Sequence, residues 1–511
     1  MTVPAATLRT GPRAGSYAKL RRVTEVQPPH SSGGSAAAPA FSADDLARLT
    51  AGRILARSSR PIRGAAVDSR LVAPGELFVA LSGERTDGHR FVGAAAAAGA
   101  AGVLVSRDIV QSELQELGDV TVVRVADGLA ALQALAAAWR TRFDPLVVAV
   151  TGSIAKTSTK EAIGAVLERR FVTLKNEGNL NNEIGLPLTV LRMGPEHGAA
   201  VLEMGMYVGG EIATLAGIAR PRIGVVTAVQ PVHLARIGSI DAIERAKGEL
   251  VEALPADGTA VLNADDPRVR RMSARTPARS LLYGFGDDAD VRAERVESAG
   301  NGGMRFRLRL PGGTSADVSI PGLGRLSVHN ALAAAAVGVA AGLTEGEIAG
   351  GLATRWQAPH RMNLLRAGDV TIVDDTYNAS PASVTAALEM LGGLPGRRIA
   401  VLGEMLELGE GHEAGHHSVG EAAAAVSDVI VVIGEGARGI ADGARAAGFP
   451  PESITVTSDR DGALQGLQRD LRGGDVVLVK GSRGIELDRL VDALVRLLES
   501  PPEAGTGNDP R

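Results

Sequence analysis

The chain has 511 residues, a formal net charge of −4 and an aromatic content of 3%, so it offers neither the basic surface nor the stacking rings typical of nucleic-acid binding. A hydrophobic content of 45% is enough for substantial cores, and the length predicts about three domains. The lack of cysteine excludes disulfides, thiolate catalysis and cysteine-type zinc sites and favours the cytoplasm, and no apolar run predicts a membrane-spanning helix.

Two terminal segments are predicted to be disordered. Residues 1–40 are rich in Ala, Pro, Ser, Gly and Arg, and residues 501–511 are rich in Pro and Gly. An alternative for the first segment is a targeting peptide, although it lacks the continuous apolar core of a signal peptide.

A first α/β segment is predicted over residues 41–142. Ser42 is placed to cap a short helix in "FSADDLARLTAG". The runs "GELFVALSG", "AGVLVSR" and "DVTVVRV" are typical of strands, whereas "FVGAAAAAGAAG" and "GLAALQALAAAWRTRF" are typical of helices.

Two further α/β segments are predicted, over residues 143–354 and 355–500. In the first of them the strand-like runs "LVVAV", "AAVLEMG", "RIGVVTAV" and "TAVLNAD" alternate with helical stretches. In the second, "VTIVDDTYN", "RIAVLGEM", "DVIVVIG" and "DVVLVKGS" repeat the pattern. Such alternation predicts parallel sheets covered by helices, so the expected fold class is α/β with three units.

The stretch "VVAVTGSIAKTSTKEAI", residues 147–163, is a strand, a turn of small residues and the start of a helix. This arrangement directs backbone N–H groups and a helix dipole at an anion, with Lys156 on the phosphates and Thr157 on Mg²⁺. The strict pattern G-x-x-x-x-G-K-[ST] fails, because Val150 and Ala155 occupy its glycine positions. A chance match in a glycine-rich chain therefore stays open.

Other polar residues follow predicted strands or lie in turn-prone sequence. Asn181 and Asn182 belong to the asparagine-rich run "KNEGNLNNEIGLPLTVL", which could also be a plain surface loop. Glu203 ends a strand, where an acid is a candidate Mg²⁺ ligand or a helix cap. His233 follows another strand, and a structural role is equally open. Lys247 lies on an amphipathic helix, where a solvated lysine is the ordinary interpretation.

Taken together, these runs resemble the Mur ligases over about residues 60 to 495, among them the enzymes that add D-alanyl-D-alanine to UDP-N-acetylmuramoyl-tripeptide. The resemblance rests on "VDSRLVAPGELFVALSGERTDGHRFV", "TGSIAKTSTK", "GNLNNEIGLPLT", "LEMGMYVGGEI", "HLARIGS", "AKGEL", "DDTYNASP", "VLGEMLELG" and "VKGSR". It implies a three-domain architecture with a central, mostly parallel P-loop-type sheet and a Rossmann-like C-terminal domain.

The same resemblance implies a reaction and its partners. ATP phosphorylates a substrate carboxylate, an amine attacks the acyl phosphate, and phosphate leaves, which demands charge neutralisation and positioning. The implied cofactors are ATP and Mg²⁺. The implied partners are a UDP-linked muramoyl-peptide and D-alanyl-D-alanine, with no nucleic acid or membrane, and the protein is expected to be a cytoplasmic monomer.

The resemblance also implies roles for individual residues. The nucleotide-binding set is Gly152, Ser153, Ala155, Lys156, Thr157, Ser158, Asn330, Arg361 and Asp374. The metal ligands are Thr157, Glu203 and His233. The catalytic residues are Lys156, His233 and Lys247, the last of which is carbamylated in several family members. The substrate residues are Asp68, Ser69 and Arg70 for UDP, Asn181 and Asn182 for the muramoyl-peptide, and Tyr377 and Asn378 for the dipeptide.

Four positions depart from the family pattern. Ala155 and Ser380 replace a glycine and an asparagine, residues 228–230 read Ala-Val-Gln where Asn-x-Gly is usual, and Ala333 replaces an asparagine that meets adenine. Most of these lie on the ATP side, so a weaker hold on the nucleotide is expected. Two alternatives therefore stay open: a Mur-type ligase with another carboxylate and amine in secondary metabolism, and a non-catalytic binding protein.

One motif points elsewhere. "HEAGH", residues 412–416, satisfies the zinc-protease pattern H-E-x-x-H, which needs both histidines on one continuous helix. Gly409, Gly411 and Gly415 disfavour such a helix, and no clear third ligand follows. The resemblance explains the same stretch, so a protease is not expected.

Overall fold

The computed structural model describes residues 40–83, 86–231 and 237–499. The two predicted disordered tails therefore lie almost wholly outside the described residues. One compact unit holds the described residues up to Phe143 together with Asn176–Pro195, and the other holds Asp144–Lys175 and the described residues from Glu196 onward.

The helices and strands follow the predicted alternation along the chain. The α-helices are α1 (Ala43–Thr50), α2 (Val92–Ala97), α3 (Gln111–Glu116), α4 (Gly128–Arg140), α5 (Lys156–Leu167), α6 (Gly185–Val190), α7 (Glu211–Ala219), α8 (Ile240–Glu252), α9 (Pro267–Arg270), α10 (Gly324–Ala340), α11 (Glu345–Leu352), α12 (Pro381–Gly392), α13 (His412–Ala424), α14 (Arg438–Ala446), α15 (Arg460–Asp470) and α16 (Asp488–Glu499). The strands are β1 (Arg53–Ala56), β2 (Ala65–Ala66), β3 (Leu77–Val79), β4 (Gly102–Val105), β5 (Thr121–Arg124), β6 (Leu146–Thr151), β7 (Thr173–Lys175), β8 (Ala199–Glu203), β9 (Ile223–Val226), β10 (Thr259–Asn263), β11 (Arg279–Gly284), β12 (Val291–Ser298), β13 (Met304–Arg309), β14 (Ser315–Ile320), β15 (Asn363–Ala367), β16 (Val370–Asp375), β17 (Arg398–Gly403), β18 (Val429–Ile433), β19 (Ile454–Thr457) and β20 (Val476–Lys480).

The first sheet has the strand order β1-β5-β4-β3-β2, with β1 antiparallel to β5 and the other pairs parallel. Helix α1 begins where the sequence predicts, because the Ser42 hydroxyl accepts a hydrogen bond from the Asp45 N–H at 3.1 Å. The Asp45 carboxylate accepts in return from the Ser42 N–H, so two backbone N–H groups at the start of the helix have hydrogen-bond partners. The predicted cap is confirmed.

The second sheet is the longest, with the order β14-β13-β12-β11-β10-β9-β6-β8-β7. Its strands are parallel from β7 to β12, and β13 and β14 add an antiparallel extension that the sequence interpretation did not include. Strand β6 lies between β8 and β9, and its Val150 is opposite Glu203. The carboxyl ends of these strands therefore share one edge of the sheet, where the loops and helix starts carry polar residues.

The third sheet has the order β15-β16-β20-β17-β18-β19, and only the β15–β16 pair is antiparallel. Separate apolar clusters cover its two faces, one built with α12, α13 and α14 and the other with α15 and α16. Parallel strands buried on both faces are the doubly wound arrangement predicted for this segment. Asp375 at the end of β16 lies opposite Lys480 at the end of β20.

The helix prediction for "HEAGH" was wrong, because α13 is continuous from His412 to Ala424 and contains Gly415. Tertiary packing outweighs the low helix propensity of glycine here: a Cβ on Gly420 would stand 2.0 Å from the carbonyl oxygen of Ile440 on α14. Both ring nitrogens of His416 are engaged, Nε2 by the Met405 N–H at 2.9 Å and Nδ1 by the His412 carbonyl at 2.7 Å. The helix therefore does not make a zinc site.

No helix in the described ranges is long and apolar enough to cross a membrane. Within the same residues, no three histidine or acidic side chains gather closely enough to hold a metal ion by themselves.

Candidate active site

The loop between β6 and α5 ends in a strained residue. Ala155 is the N-cap of α5 and adopts φ 66° and ψ 0°, which is the left-handed region. An L-residue with a Cβ pays about 1–2 kcal/mol to occupy this region, whereas glycine does not. The position before Lys156, where the strict motif has glycine, therefore has the backbone conformation that glycine adopts most readily.

Backbone and hydroxyl groups hold this loop against the strand end of β9. The Ser153 N–H donates to the Ala228 carbonyl at 2.8 Å, and the Ser153 hydroxyl donates to the Gln230 carbonyl at 2.9 Å and accepts from the Gln230 N–H at 2.8 Å. A Cβ on Gly152 would lie 1.9 Å from the Thr227 hydroxyl oxygen, so only glycine fits there. The unusual residues 228–230 thus anchor the loop through their backbone atoms.

Lys156 opens α5 and curls back over the loop. Its Nζ donates to the carbonyl of Gly152 at 2.8 Å and lies 3.4 Å from that of Ser153. Burial lowers the pKa of Lys156, the Glu203 carboxylate opposes that shift and the Arg361 guanidinium adds to it. The charges of Glu203 and Arg361 therefore both act on Lys156, although the three residues come from distant parts of the chain.

Two predicted metal ligands lie at the same sheet edge. Thr157 and Glu203 are 7% and 2% exposed, so both oxygens are shielded from bulk water. Mg²⁺ prefers oxygen ligands and commonly combines one or two carboxylates with substrate phosphates, so a hydroxyl and one carboxylate beside a phosphate loop fit it. The third predicted ligand, His233, lies outside the described residues.

Lys247 is buried on α8, with 3% of its surface exposed. Burial and the nearby positive charge of Lys156 lower the pKa of Lys247 well below its ordinary value. A lysine held in this way carries a neutral, nucleophilic amine much more readily than an exposed one. The interpretation of Lys247 as a solvated surface residue is therefore wrong.

Asn330 is hydrogen-bonded to α5, the helix that follows the phosphate loop. The Thr159 hydroxyl on α5 donates to the Asn330 Oδ1 at 3.0 Å, and Asn330 is 5% exposed. Ser158 lies beside Thr159 on α5 and is half-buried. Ala333, one turn along α10, is fully buried in the apolar core of the second sheet. Ala333, which stands where the family usually has an asparagine, is thus a residue of the packed core.

Arg361 and Tyr377 meet at the edge of the third sheet. The Arg361 guanidinium lies over the Tyr377 ring at 4.1 Å from its centroid, and Arg483 approaches the same ring at 4.9 Å. The Nε of Arg361 is buried and has no hydrogen-bond partner in the described part of the chain. The chain also bends sharply here, since His360 and Met362 both have positive φ.

Asp374 is buried and engaged by its own neighbours. Its Oδ2 is 2.7 Å from the His360 Nδ1, and its Oδ1 accepts from the Thr376 hydroxyl at 2.7 Å. The hydrogen bond to Asp374 raises the pKa of His360. Asp374 therefore fixes the segment that carries Arg361, and its predicted nucleotide contact stays a prediction.

The substrate residues predicted in the first unit make hydrogen bonds to residues close to them in the sequence. Asp68 caps a short 3-10 helix, Ser69–Leu71, and accepts from the Arg70 Nε at 2.9 Å. Asn182 accepts from the Gly185 N–H at 2.9 Å and so supports the start of α6. Asn181 neighbours it, half-buried. These contacts fit structural roles as well as binding roles, and the predicted substrate contacts stay predictions.

Comparisons with known proteins identify the family. Three sequence profiles match: "Mur ligase family, catalytic domain" at residues 61–140, "Mur ligase middle domain" at 150–338 and "Mur ligase, glutamate ligase domain" at 360–483. The UDP-N-acetylmuramoyl-tripeptide--D-alanyl-D-alanine ligase of Escherichia coli K12 is 38% identical over 432 residues, which are 84% of this chain and 92% of that protein. The chain belongs to the Mur ligase family.

Solved structures of Mur ligases agree. A crystal structure of MurF from Acinetobacter baumannii has a TM-score of 0.81 and 31% identity, covering 90% of this chain and 99% of that one. MurF ligase from Thermotoga maritima in complex with ADP has a TM-score of 0.76 and 30% identity, covering 86% and 98%. The predicted α/β fold class of the Mur ligases is confirmed, whereas the predicted domain bounds stay a prediction.

Sequence reasoning missed one buried ion pair in this Mur ligase. The Lys480 Nζ is 2.5 Å from the Asp375 Oδ2 and donates to the Asn378 carbonyl at 2.9 Å. The other Asp375 oxygen accepts from the Met362 N–H at 3.2 Å, so the pair ties the Arg361 segment to the Tyr377–Asn378 loop. A charged residue ending each of two apolar strands was the available signal.

A second cluster beside Asn330 was also missed. His329 lies at 4.6 Å from the Phe285 ring in an edge-on arrangement, and its Nε2 is 3.4 Å from the Asp265 carboxylate. Arg325 covers the same ring at 4.0 Å. Burial lowers the pKa of His329, and Asp265 opposes the shift. The signal for this cluster in the sequence is the aromatic residue directly after "LLYG", Phe285.

Proposed function

We propose that this chain is a cytoplasmic, ATP-dependent, ADP-forming ligase that joins D-alanyl-D-alanine to UDP-N-acetylmuramoyl-tripeptide in peptidoglycan precursor synthesis. The observation that carries the proposal is that the charges of Glu203 and Arg361 both act on Lys156, in a chain aligned with D-alanyl-D-alanine ligases over nine-tenths of their length. The ADP bound to the Thermotoga maritima relative supports the nucleotide assignment.

The proposed reaction has two steps. An oxygen of the tripeptide carboxylate attacks the γ-phosphorus of ATP, and ADP leaves. The dipeptide amine then attacks the carbonyl carbon of the acyl phosphate, loses a proton, and the C–O bond to phosphate breaks. Because charge builds up on phosphoryl and carbonyl oxygens in both steps, the protein contributes mainly positioning and compensating charge.

Each side chain at the sheet edge has a distinct part in this scheme. Backbone N–H groups at the start of α5 hold the β- and γ-phosphates, and Lys156 turns from its loop carbonyls towards them. Thr157, Glu203 and His233 would hold Mg²⁺, which when bound neutralises phosphate charge. Arg361 lies on the phosphate side, because its charge reaches Lys156. Ser153, Ser158, Asn330 and Asp374 support these groups.

Substrate recognition completes the proposal. Asp68, Ser69 and Arg70 hold UDP, Asn181 and Asn182 meet the muramoyl-peptide, and Tyr377 and Asn378 receive the dipeptide. The acting form is a monomer.

The proposal is tested by phosphate release. ATP, UDP-N-acetylmuramoyl-tripeptide and D-alanyl-D-alanine are mixed with the enzyme, and each substrate is omitted in turn. Release that needs all three, with the amide product seen by mass spectrometry, is the expected result. Release with other amines only would indicate a ligase of another pathway, and no release with any amine would indicate a binding protein.

The strained Ala155 predicts a weakened hold on ATP. Ala155→Gly should raise the free energy of unfolding by about 1–2 kcal/mol, because the loop already holds Ala155 in the left-handed region. It should tighten ATP binding, by at most about 5- to 30-fold, to the extent that the wild-type loop leaves this conformation when ATP dissociates, since 1.4 kcal/mol corresponds to tenfold. Calorimetric titration of both forms with Mg²⁺ present measures the change. Affinity for the UDP-linked substrate should stay the same. Equal ATP affinity together with equal thermal stability in both forms would show that the loop carries no strain.

A further inference from the structure

Two arginines share one aromatic ring and have no acidic partner. Arg361 and Arg483 lie at 4.1 and 4.9 Å from the centroid of Tyr377, and neither forms an ion pair within the described residues. Two guanidinium groups on one ring repel each other, so the arrangement is stable when an anion lies between or beside them.

The two strand-end acids nearby are already engaged, and Asp488, whose charge also acts on His360, forms no ion pair with either arginine in the described residues. Asp374 is bound by His360 and Thr376, and Asp375 is bound by Lys480 and the Met362 N–H. The positive charge on this edge is therefore left for ligands. Buried, fully used carboxylates next to unpaired arginines are the arrangement expected of an anion-binding site.

The two arginines differ in their exposure to solvent. The Nε of Arg361 is buried and has no hydrogen-bond partner in the described part of the chain. Arg483 is exposed and begins a short 3-10 helix after β20. Arg483 is therefore the arginine that an anion entering from solvent reaches.

The geometry points to Arg483 as the residue that binds the free carboxylate of the incoming dipeptide, with the Tyr377 ring holding its guanidinium in place. This inference rests on the proposed function, because only a substrate with an amine at one end and a carboxylate at the other uses such a residue. A planar guanidinium binds a carboxylate through two parallel hydrogen bonds, which an ammonium group cannot do. The site would therefore select an amino substrate by its far end as well as by its amine.

The test compares two amines of equal length, D-alanyl-D-alanine and D-alanyl-D-alaninamide, whose far end is neutral. The wild-type enzyme should prefer the acid about 10- to 100-fold in kcat/KM, mainly through KM, since a hydrogen-bonded charge contributes on that scale. Arg483→Gln should lower kcat/KM for the acid by that factor and leave the amide unchanged. Arg483→Lys should restore part of the preference.

Arg489→Gln is the matched control, because Arg489 is an exposed arginine nearby that is paired with Glu486. It should keep the full preference for the acid. Equal wild-type rates with acid and amide, or equal losses for both in Arg483→Gln, would overturn the inference while leaving the ligase activity established. A wild-type enzyme that is inactive with both amines would overturn the proposed function first and this inference with it.

Discussion

Replacing Lys247 by alanine is expected to lower kcat about 10²- to 10³-fold, the loss that follows removal of one preorganised charged group from an active site. Lys247 is buried, and burial together with Lys156 lowers its pKa, so its amine is suited to react with CO₂. The resulting carbamate would turn a repelled cation into an anion facing Lys156 and would supply oxygen for a metal ion. Added bicarbonate should therefore raise wild-type activity.

Chemical rescue separates this prediction from simple loss of packing. Formate or acetate should restore part of the activity of Lys247→Ala, because a small carboxylate can occupy the space of the carbamate. Lys247→Arg keeps a cation but cannot be carbamylated, so it should be as impaired as the alanine variant. Lys175→Ala is the control, since Lys175 is bound by Glu161 and Glu168, and carboxylates should not change its activity. Full activity of Lys247→Ala would return Lys247 to a structural role.

The strands and helices around the site were predictable because their signals are local. β6 and β8 are apolar runs bounded by polar residues, and their carboxyl ends mark where Lys156 and Glu203 lie. Ala155 was predictable for the same reason, since the position before the lysine has a known backbone demand. The antiparallel extension was missed although β13 alternates buried and exposed residues, which is a local pattern that the interpretation did not use.

What failed depends on residues far apart in the chain. The continuity of α13 follows from its close approach to α14, where Gly420 and Gly443 leave room for the neighbouring backbone, and propensity alone predicted the opposite. The Asp375–Lys480 pair joins residues 105 positions apart, and only the register of β16 on β20 brings them together. Local patterns therefore predict which residues end the strands but not which of them pair.

Glu203→Gln is expected to cost about 10³-fold in kcat/KM at low Mg²⁺, since a bound metal ion contributes several kcal/mol of charge stabilisation and 1.36 kcal/mol is tenfold. Glu203 is the buried acid opposite Val150, and it is the negative charge that reaches Lys156. The glutamine keeps the shape of the side chain, so the fold should change little. The Mg²⁺ concentration needed for half-maximal turnover should rise, and high Mg²⁺ should recover part of the activity.

Glu211→Gln distinguishes a metal ligand from a capping acid. Glu211 begins α7 and accepts from the Tyr207 N–H at 2.6 Å, so it is the ordinary structural acid of the same strand-to-helix connection. Its loss should cost about 1 kcal/mol of stability, seen as a lower thermal midpoint, without changing the Mg²⁺ dependence. If Glu203→Gln gave the Glu211→Gln result, with wild-type turnover at low Mg²⁺ and only a lower thermal midpoint, Glu203 would be a structural residue and the metal ion would be held by other groups.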